Sequence, residues 1–310
     1  MTTRLDVSVL ICTRDRSALL EGCLDSVLGC SPAPAEVIVV DQSRDEATRL
    51  AVSRRQGRAV PVRYVRGIGT GLSRAKNQGV ADGTARVIAF TDDDCLADPG
   101  WIEALCEPIL AGRAEAVVGR TLPETSIGGM DETYSFYAPE GSPVFRRRTH
   151  PWRVGGGGNF AAARDVLLRT GSFDERLGPG APLESAEDMD MVHRLLRAGS
   201  RMVYAPRAVI RHRSWRSARQ NRRLSRAYGI GAGGYFTKHF LAGDWISGWR
   251  FAARLGIRTV HLIRALFALD RRGMAEHGIY LLALVAGAAR FLRSGGPTPA
   301  GVANLKRGAA

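Results

Sequence analysis

The sequence predicts an α/β fold, with a mixed, mostly parallel sheet flanked by helices and a helical extension behind it. Three observations lead there. Short β-branched runs alternate with helix-length amphipathic segments from Asp6 to Leu110, the pattern of consecutive βαβ units. Carboxylates stand where several of those runs stop. The charge is also divided along the chain, near balance at first and strongly basic later.

Asp6–Cys12 reads as a first strand buried on both faces, followed by the loop Thr13-Arg-Asp-Arg. Ser17 is placed to cap a helix through Leu19, Leu20, Leu24, Val27 and Leu28. Glu36–Val40 is the second strand and closes on Asp41. A carboxylate there either hydrogen-bonds a nucleoside or caps the following turn. A helix over about Asp45–Gln56, a strand Val62–Val65, a turn Gly67–Gly71 and a helix Leu72–Ala81 continue the alternation.

Ala85–Phe90 is the next buried strand, and Thr91-Asp92-Asp93-Asp94-Cys95 follows it. Three adjacent carboxylates raise one another's pKa unless a cation lies among them. Oxygen-rich clusters of this kind suit Mg²⁺ or Mn²⁺, and ligands collect beyond the carboxyl ends of strands in open α/β sheets. The bland alternative is a solvated acidic turn before the helix that starts near Pro99-Gly100.

Beyond it, Trp101–Leu110 reads as a helix and Ala116–Val118 as a strand. Gly128–Arg153 reads as irregular, with Tyr134, Phe136, Tyr137 and Arg146-Arg-Arg148. It is an acceptor-recognition loop or lid, or else a plain surface loop. Gly155–Gly158 allows close backbone approach to a ligand and leads through Phe160–Ala163 to a helix over Asp165–Thr170. Phe173–Gly180 is a loop.

Ser185–Leu196 then carries a helical apolar stripe of Met189, Val192, Leu195 and Leu196. Ser185 with Asp188 resembles a capping box. The functional alternative sets Glu187 and Asp188 at the rim of a cleft, one of them a general base. Arg201–Tyr204 is a strand followed by Arg207–His212, and His212 is either a metal ligand or a packed histidine.

Residues 1–205 hold 25 Lys+Arg against 27 Asp+Glu, and residues 206–310 hold 19 against 3. The whole net charge of +14 therefore sits in the last third, which favours anionic lipid headgroups, nucleic acid or phosphorylated substrates as partners. The five cysteines form no C-x-x-C pair, fitting reduced thiols in a cytoplasmic protein. Val7–Cys12 is too short for the apolar core of a signal peptide.

Arg211, Arg213, Arg216, Arg219, Arg222 and Arg223 surround Trp215, ahead of apolar segments at Val260–Leu269 and Ile279–Ala289. The uninterrupted run Gly278–Ala289 has 12 residues, short of the roughly 20 needed to span a bilayer. The region is expected to lie in a membrane interface, to cap the α/β domain, or to form a homodimer contact.

Taken in order, these pieces resemble the family 2 glycosyltransferases of GT-A fold. The matching segments are Val7–Thr13, Val37–Asp41, Leu72–Gly79, Phe90–Asp94, Gly157–Phe160, Gly171–Leu177, Glu187–Asp190 and Tyr204–Pro206 with His212, over about residues 5–215. The resemblance implies a GT-A catalytic domain over 1–215, with a nucleotide-sugar half (1–98) and an acceptor half (99–215). Residues 216–310 form the basic helical extension. It implies an inverting hexosyltransferase that moves a sugar from a nucleotide-sugar to a glycan or lipid-linked acceptor, in the synthesis of a cell-surface polysaccharide, glycolipid or other glycoconjugate.

In that reading Asp92 and Asp94 match the D-x-D pair that engages Mg²⁺ or Mn²⁺ and the donor, with Asp93 between them. Asp41, Thr13 and Arg14 match the nucleoside-binding positions. Lys76 and Asn77 lie in a donor-side motif, where many members carry Arg at position 76. Asp188 matches the general base, Glu187 its neighbour, and His212 a position that binds metal in some members.

Two other readings remain. Nucleotidyl transfer also places aspartates around Mg²⁺. A non-catalytic nucleic-acid or membrane binder would be driven by the basic tail. The spacing of the E-D pair after the acidic cluster argues against the first. The lack of a nucleic-acid module and the near-neutral first two-thirds argue against specific nucleic-acid binding.

Overall fold

The computed structural model describes residues 4–57, 59–124, 137–141, 143–213 and 218–295, with side chains from 223 onward in the last stretch. Tyr134, Phe136, Trp215 and Arg216 lie outside the described residues, as do the side chains of Arg219 and Arg222. In chain order the elements are β1 (Leu5–Thr13), α1 (Ser17–Leu28), β2 (Pro34–Asp41), α2 (Ala47–Ser53), β3 (Val62–Arg66), α3 (Leu72–Asp82), β4 (Val87–Asp92) and β5 (Cys95–Ala97). Next come α4 (Trp101–Leu110), β6 (Ala116–Pro123), β7 (Val144–Phe145), a 3-10 turn (Pro151–Arg153), β8 (Asn159–Ala163), α5 (Arg164–Arg169) and α6 (Glu187–Arg197). They are followed by β9 (Met202–His212), α7 (Ala218–Leu241), α8 (Trp245–Phe267) and α9 (Arg271–Arg293).

The strands form one sheet in the order β3-β2-β1-β4-β8-β6-β9-β5, with β7 beside β9. The half β3-β2-β1-β4 is parallel, as the βαβ alternation requires. β8 runs antiparallel to β4 and β6, and β6 and β9 pair in parallel again.

Alternation along β1 explains why its sequence reads as a continuous apolar run. Val7, Val9 and Ile11 face α1 and α4, where Leu20, Leu24, Trp101 and Leu105 are buried. Leu10 and Cys12 face the other layer, with Ile88, Phe90 and the apolar side of α6. Parallel register puts Thr13 beside Asp41 and Cys12 beside Asp92, so the ends of β1, β2 and β4 share one edge.

Several local expectations are corrected. Ser17 makes no side-chain cap on α1. The helix expected over Asp45–Gln56 is confined to Ala47–Ser53. β9 is one strand, not two segments; Pro206, which donates no ladder hydrogen bond, falls in the register shift opposite Gly119 and Arg120. Part of the stretch expected to be irregular supplies β7, whose Val144 and Phe145 pair with Val203 and Met202.

In the extension α7 packs closely on α9. A Cβ on Gly233 would lie 2.0 Å from the Leu284 carbonyl oxygen, and one on Gly287 would lie 2.0 Å from that of Ile230. Only glycine allows backbones to approach so closely. α9 has 23 residues and is, among the described residues, the one helix long and apolar enough by length and composition to cross a membrane. The helix is longer than the 12-residue apolar run because it continues through flanking residues that the run excludes. One face of α9, with Tyr280, Ala283, Leu284 and Phe291, is buried within the protein.

Candidate active site

The end of β4 and the turn after it send the three carboxylates in different directions. Asp93 points inward and is fully buried. It accepts a hydrogen bond from the Thr13 hydroxyl at 2.6 Å and pairs with Arg16 at 2.7 Å. Asp94 lies 3.3 Å from Arg16 and 3.5 Å from Nε2 of His212. Asp92 remains partly accessible beside the glycine run. Oxygens of Asp92 and Asp94 and the Cys95 sulfur all lie within 4.8 Å of one another. β5 pairs Cys95 with His212, which brings the imidazole to the cluster across the sheet.

Burial pushes the Asp92 carboxyl above its ordinary range, opposed by Lys76 and reinforced by Asp94. Burial likewise pushes Asp93 to about 7 against the pull of Arg16. Among the described residues, Nδ1 of His212 is buried without a hydrogen-bond partner. A crowded acidic site with an imidazole at its side fits a hard divalent cation held by Asp92 and Asp94, with His212 adjacent. The Cys95 thiol is raised well above its usual range, by burial first and then by Asp92 and Asp94. It stays protonated and is a poor partner for such a cation.

On the nucleoside side, Asp41 is fully buried at the end of β2. It accepts from the Tyr64 hydroxyl at 2.9 Å and the Ser43 amide at 2.8 Å, and lies 3.5 Å from Arg66. Arg14 is part exposed, with its guanidinium 3.9 Å from the position of a Cβ on Gly180. Three residues expected to touch the donor are engaged elsewhere. The Thr13 hydroxyl is held by Asp93, and Asp93 by Thr13 and Arg16. The Asn77 amide clasps the Phe173 backbone in both directions, at 2.9 and 2.8 Å. All three are buried, and these contacts brace the loops that carry them.

The opposite wall is the first turn of α6. Ser185 does not cap it; its hydroxyl donates to the Ala227 carbonyl of α7 at 2.9 Å, and Ala186 enters the helix with φ of 72°. Asp188 Oδ2 accepts from the Gly157 amide at 2.9 Å, and Oδ1 from its neighbour Met189 at 2.8 Å. Glu187 is buried with its carboxylate 3.3 Å from the Lys76 ammonium.

Gly157 and Gly158 thread between the two walls. A Cβ on Gly157 would lie 3.0 Å from the Asp188 Cβ and 3.2 Å from Lys76 Nζ; one on Gly158 would lie 2.4 Å from Asp92 Oδ2. Lys76, Asp92 and Asp188 thus converge on two residues without side chains. Asn159 anchors the run, accepting from the Trp101 indole at 2.8 Å and donating to the Arg120 and Ala208 carbonyls at 2.9 Å.

Burial opposes the charge on Lys76, but Glu187, Asp92 and Asp188 outweigh it and hold its pKa above the ordinary lysine range. Burial pushes Glu187 up to about 7, Lys76 opposing and Asp188 adding to the rise. The result is a fixed positive charge between two acidic groups, a place suited to phosphate oxygens.

Sequence reasoning brought together Asp92, Asp94, Asp188, Glu187, Lys76 and His212. It missed Arg16, the counter-charge to Asp93 and Asp94, although Arg16 stands in the Thr13-Arg-Asp-Arg loop at the same sheet edge. It also missed Trp101 and Asn159; a polar residue closing a glycine run was the available signal.

The sequence model described as Glycosyl transferase family 2 matches residues 8–168. A glucosyl-dolichyl phosphate glucuronosyltransferase of Haloferax volcanii is 28% identical over 218 residues, covering 67% of this chain and 69% of that protein. The O-antigen chain rhamnosyltransferase RfbN of Salmonella typhimurium is 25% identical over 215 residues, covering 67% and 66%. Among solved structures, mannosyltransferase PcManGT from Pyrobaculum calidifontis, in complex with GDP-Man and Mn²⁺, has a similar fold. Its TM-score is 0.60 at 19% identity, over 95% of this chain and 89% of that one. With the family match spanning half of the sequence and the GT-A fold around it, the chain belongs to glycosyl transferase family 2 and is a glycosyltransferase.

Proposed function

We propose that this glycosyltransferase moves a sugar, with inversion, from a nucleotide-sugar to the hydroxyl of a glycan or lipid-linked acceptor. The observation that carries this reading is the convergence of Asp92, Lys76 and Asp188 on the Gly157–Gly158 backbone. Asp92 and Asp94 would hold Mg²⁺ or Mn²⁺, with His212 beside Asp94. The cation supplies Lewis-acid stabilisation of charge on the departing diphosphate.

Two of the roughly four lone-pair sites of the Asp188 carboxylate are fixed by backbone amides, so its orientation is set before substrate arrives. Asp188 takes the acceptor proton as the acceptor oxygen bonds the anomeric carbon. The bond from that carbon to the diphosphate breaks on the opposite face. Lys76 keeps Glu187 and Asp188 from repelling the incoming phosphates. Asp41, with Arg14 nearby, takes the nucleoside. In this reading 1–98 is the donor half, 99–215 the acceptor half, and 216–310 the extension.

The acceptor class draws on relatives whose names specify a dolichyl phosphate sugar and an O-antigen chain. A peripheral site on the cytoplasmic face of the membrane fits the surface of α8 and α9. Trp245, Trp249, Val260, Phe267, Leu282 and Val285 are exposed there, while Arg264, Arg271 and Arg293 are exposed near them. Apolar stripes edged with arginine suit an anionic lipid surface.

Metal-dependent hydrolysis across UDP-, dTDP- and GDP-sugars tests the reaction; absence of binding and turnover with every donor would refute it. Flotation with anionic liposomes tests the surface. No binding at low salt would move α8 and α9 to the alternative role of a homodimer contact.

A further inference from the structure

The helix that presents Asp188 is held from behind by the extension. Asp190, two residues after Asp188 on α6, is fully buried; burial works against its charge, but Arg194, Lys238 and His239 outweigh it and hold the carboxyl well below the usual carboxylate range. Its carboxylate receives Arg194 at 2.8 Å, Lys238 at 2.6 Å and His239 at 3.0 Å, the last two from α7. Lys238 also reaches Asp174 at 2.8 Å, and Asp174 pairs with Arg176 at 2.7 Å. His193 stacks on His239 with ring centres 3.8 Å apart and shares a 2.6 Å hydrogen bond with the Tyr235 hydroxyl. Asp244, paired with Arg197, lies 3.6 Å from the other side of His193.

The same helix meets the chain just before α6. A Cβ on Gly231 would lie 2.0 Å from the Ser185 hydroxyl oxygen, and one on Gly234 would lie 2.8 Å from Leu183. Met189 and Ala186 pack with Ile230, Tyr235 and Phe236. By contrast, Met191, Val192, Leu195 and Leu196 pack into the sheet layer. Apolar packing thus anchors α6 to the sheet, whereas α7 grips the first turn, which carries Glu187 and Asp188.

We propose that Lys238 and His239 are positioning residues for sugar transfer. Through Asp190 they fix the rotation of the first turn of α6, and so where the Asp188 carboxylate stands relative to Asp92. The inference rests on Asp188 being the base. Removing the Lys238 charge leaves a buried carboxylate short of a partner, and α6 relieves this by turning or shifting toward water. A displacement near 1 Å at a reacting group lowers turnover by about a hundredfold.

The test measures kcat, donor Kd and melting temperature for Lys238→Met, with Lys238→Arg as the charge-retaining variant. Each is made in the native background and with Asp188→Asn. The expected result is a fall in kcat of about tenfold to a hundredfold, unchanged donor Kd, and partial recovery in Lys238→Arg. In the Asp188→Asn background the Lys238→Met change should cost little more, since the group it positions is already disabled. An undiminished kcat in Lys238→Met would overturn the proposal. So would a loss of the same factor in both backgrounds, which marks a general structural role. If Asp188→Asn alone keeps full activity, the base assignment itself fails, and that outcome is distinct from either. Should Lys238→Met not fold, His239→Gln is read in the same way.

Discussion

Replacing Gly158 by alanine separates metal binding from folding. The added Cβ would lie 2.4 Å from Asp92 Oδ2 and 3.1 Å from its Cγ. Ordinary carbon–oxygen contact is near 3.4 Å, so the carboxylate must retreat by about 1 Å. Gly158 does not have a positive φ, so alanine meets no backbone strain. The obstructing atom is the end of a side chain that can swing, so the fold survives while the metal ligand moves. Coordination tolerates displacements of roughly 0.2 Å, so a shift of about 1 Å removes Asp92 from the site.

Mn²⁺ affinity, followed by the free-ion signal in electron paramagnetic resonance, should fall by about tenfold to a hundredfold, comparable to the loss of a metal-orienting group. Turnover should fall with it, while the melting temperature stays within a few degrees of the parent. Gly156→Ala is the control, because its Cβ would meet Asp188 Oδ2 only at 3.8 Å. If Gly158→Ala binds Mn²⁺ as tightly as the parent, Asp92 is not a ligand and the metal assignment is wrong.

Asp188→Asn should lower turnover by about 10²–10⁴-fold, the usual worth of a general base, while donor affinity measured by calorimetry changes little. Equal losses in both would make Asp188 structural. Gly233→Ala should lower stability by about 2 kcal/mol through overpacking against the Leu284 carbonyl, read as a lower melting temperature, and a rise would contradict the close α7–α9 contact. His193 is depressed to about 3, chiefly by burial and then by His239, from an ordinary value of 6.5. The unfolded chain therefore takes up this proton first as pH falls. The stability from neutral His193 is full above pH 6.5 and lost below it, by about 2 kcal/mol near pH 5. Urea midpoints at those two conditions check this, and His193→Asn should flatten the difference.

The parts legible in the sequence share one physical origin. β1, β2 and β4 are buried on both faces, so each needs an uninterrupted β-branched run, and such runs are rare elsewhere in the chain. β8 was not legible as a strand. Phe160-Ala-Ala-Ala163 has no β-branched residue and a composition that favours helix. It is a strand because β4 and β6 supply ladder partners on both sides. The capping box at Ser185 failed for a similar reason: the hydroxyl finds a carbonyl on α7, an element 42 residues further on.

In the candidate site, the identities of the acids were legible, but not their directions. Asp92, Asp93 and Asp94 are chemically equal in a sequence, and only the turn after β4 sends Asp93 inward to Thr13 and Arg16. The role of the extension was the least visible, since Lys238 and His239 acquire meaning only when α7 lies against Asp190.

The sequence by itself determined the α/β class, the strands β1, β2, β3, β4 and β6, and the residues able to bind a cation or accept a proton. These follow from local periodicity and side-chain chemistry. The tertiary structure decided which acids meet, which are buried as bracing, and that α7 grips the helix bearing Asp188. Those outcomes depend on distances between residues far apart in the chain, which no local pattern encodes.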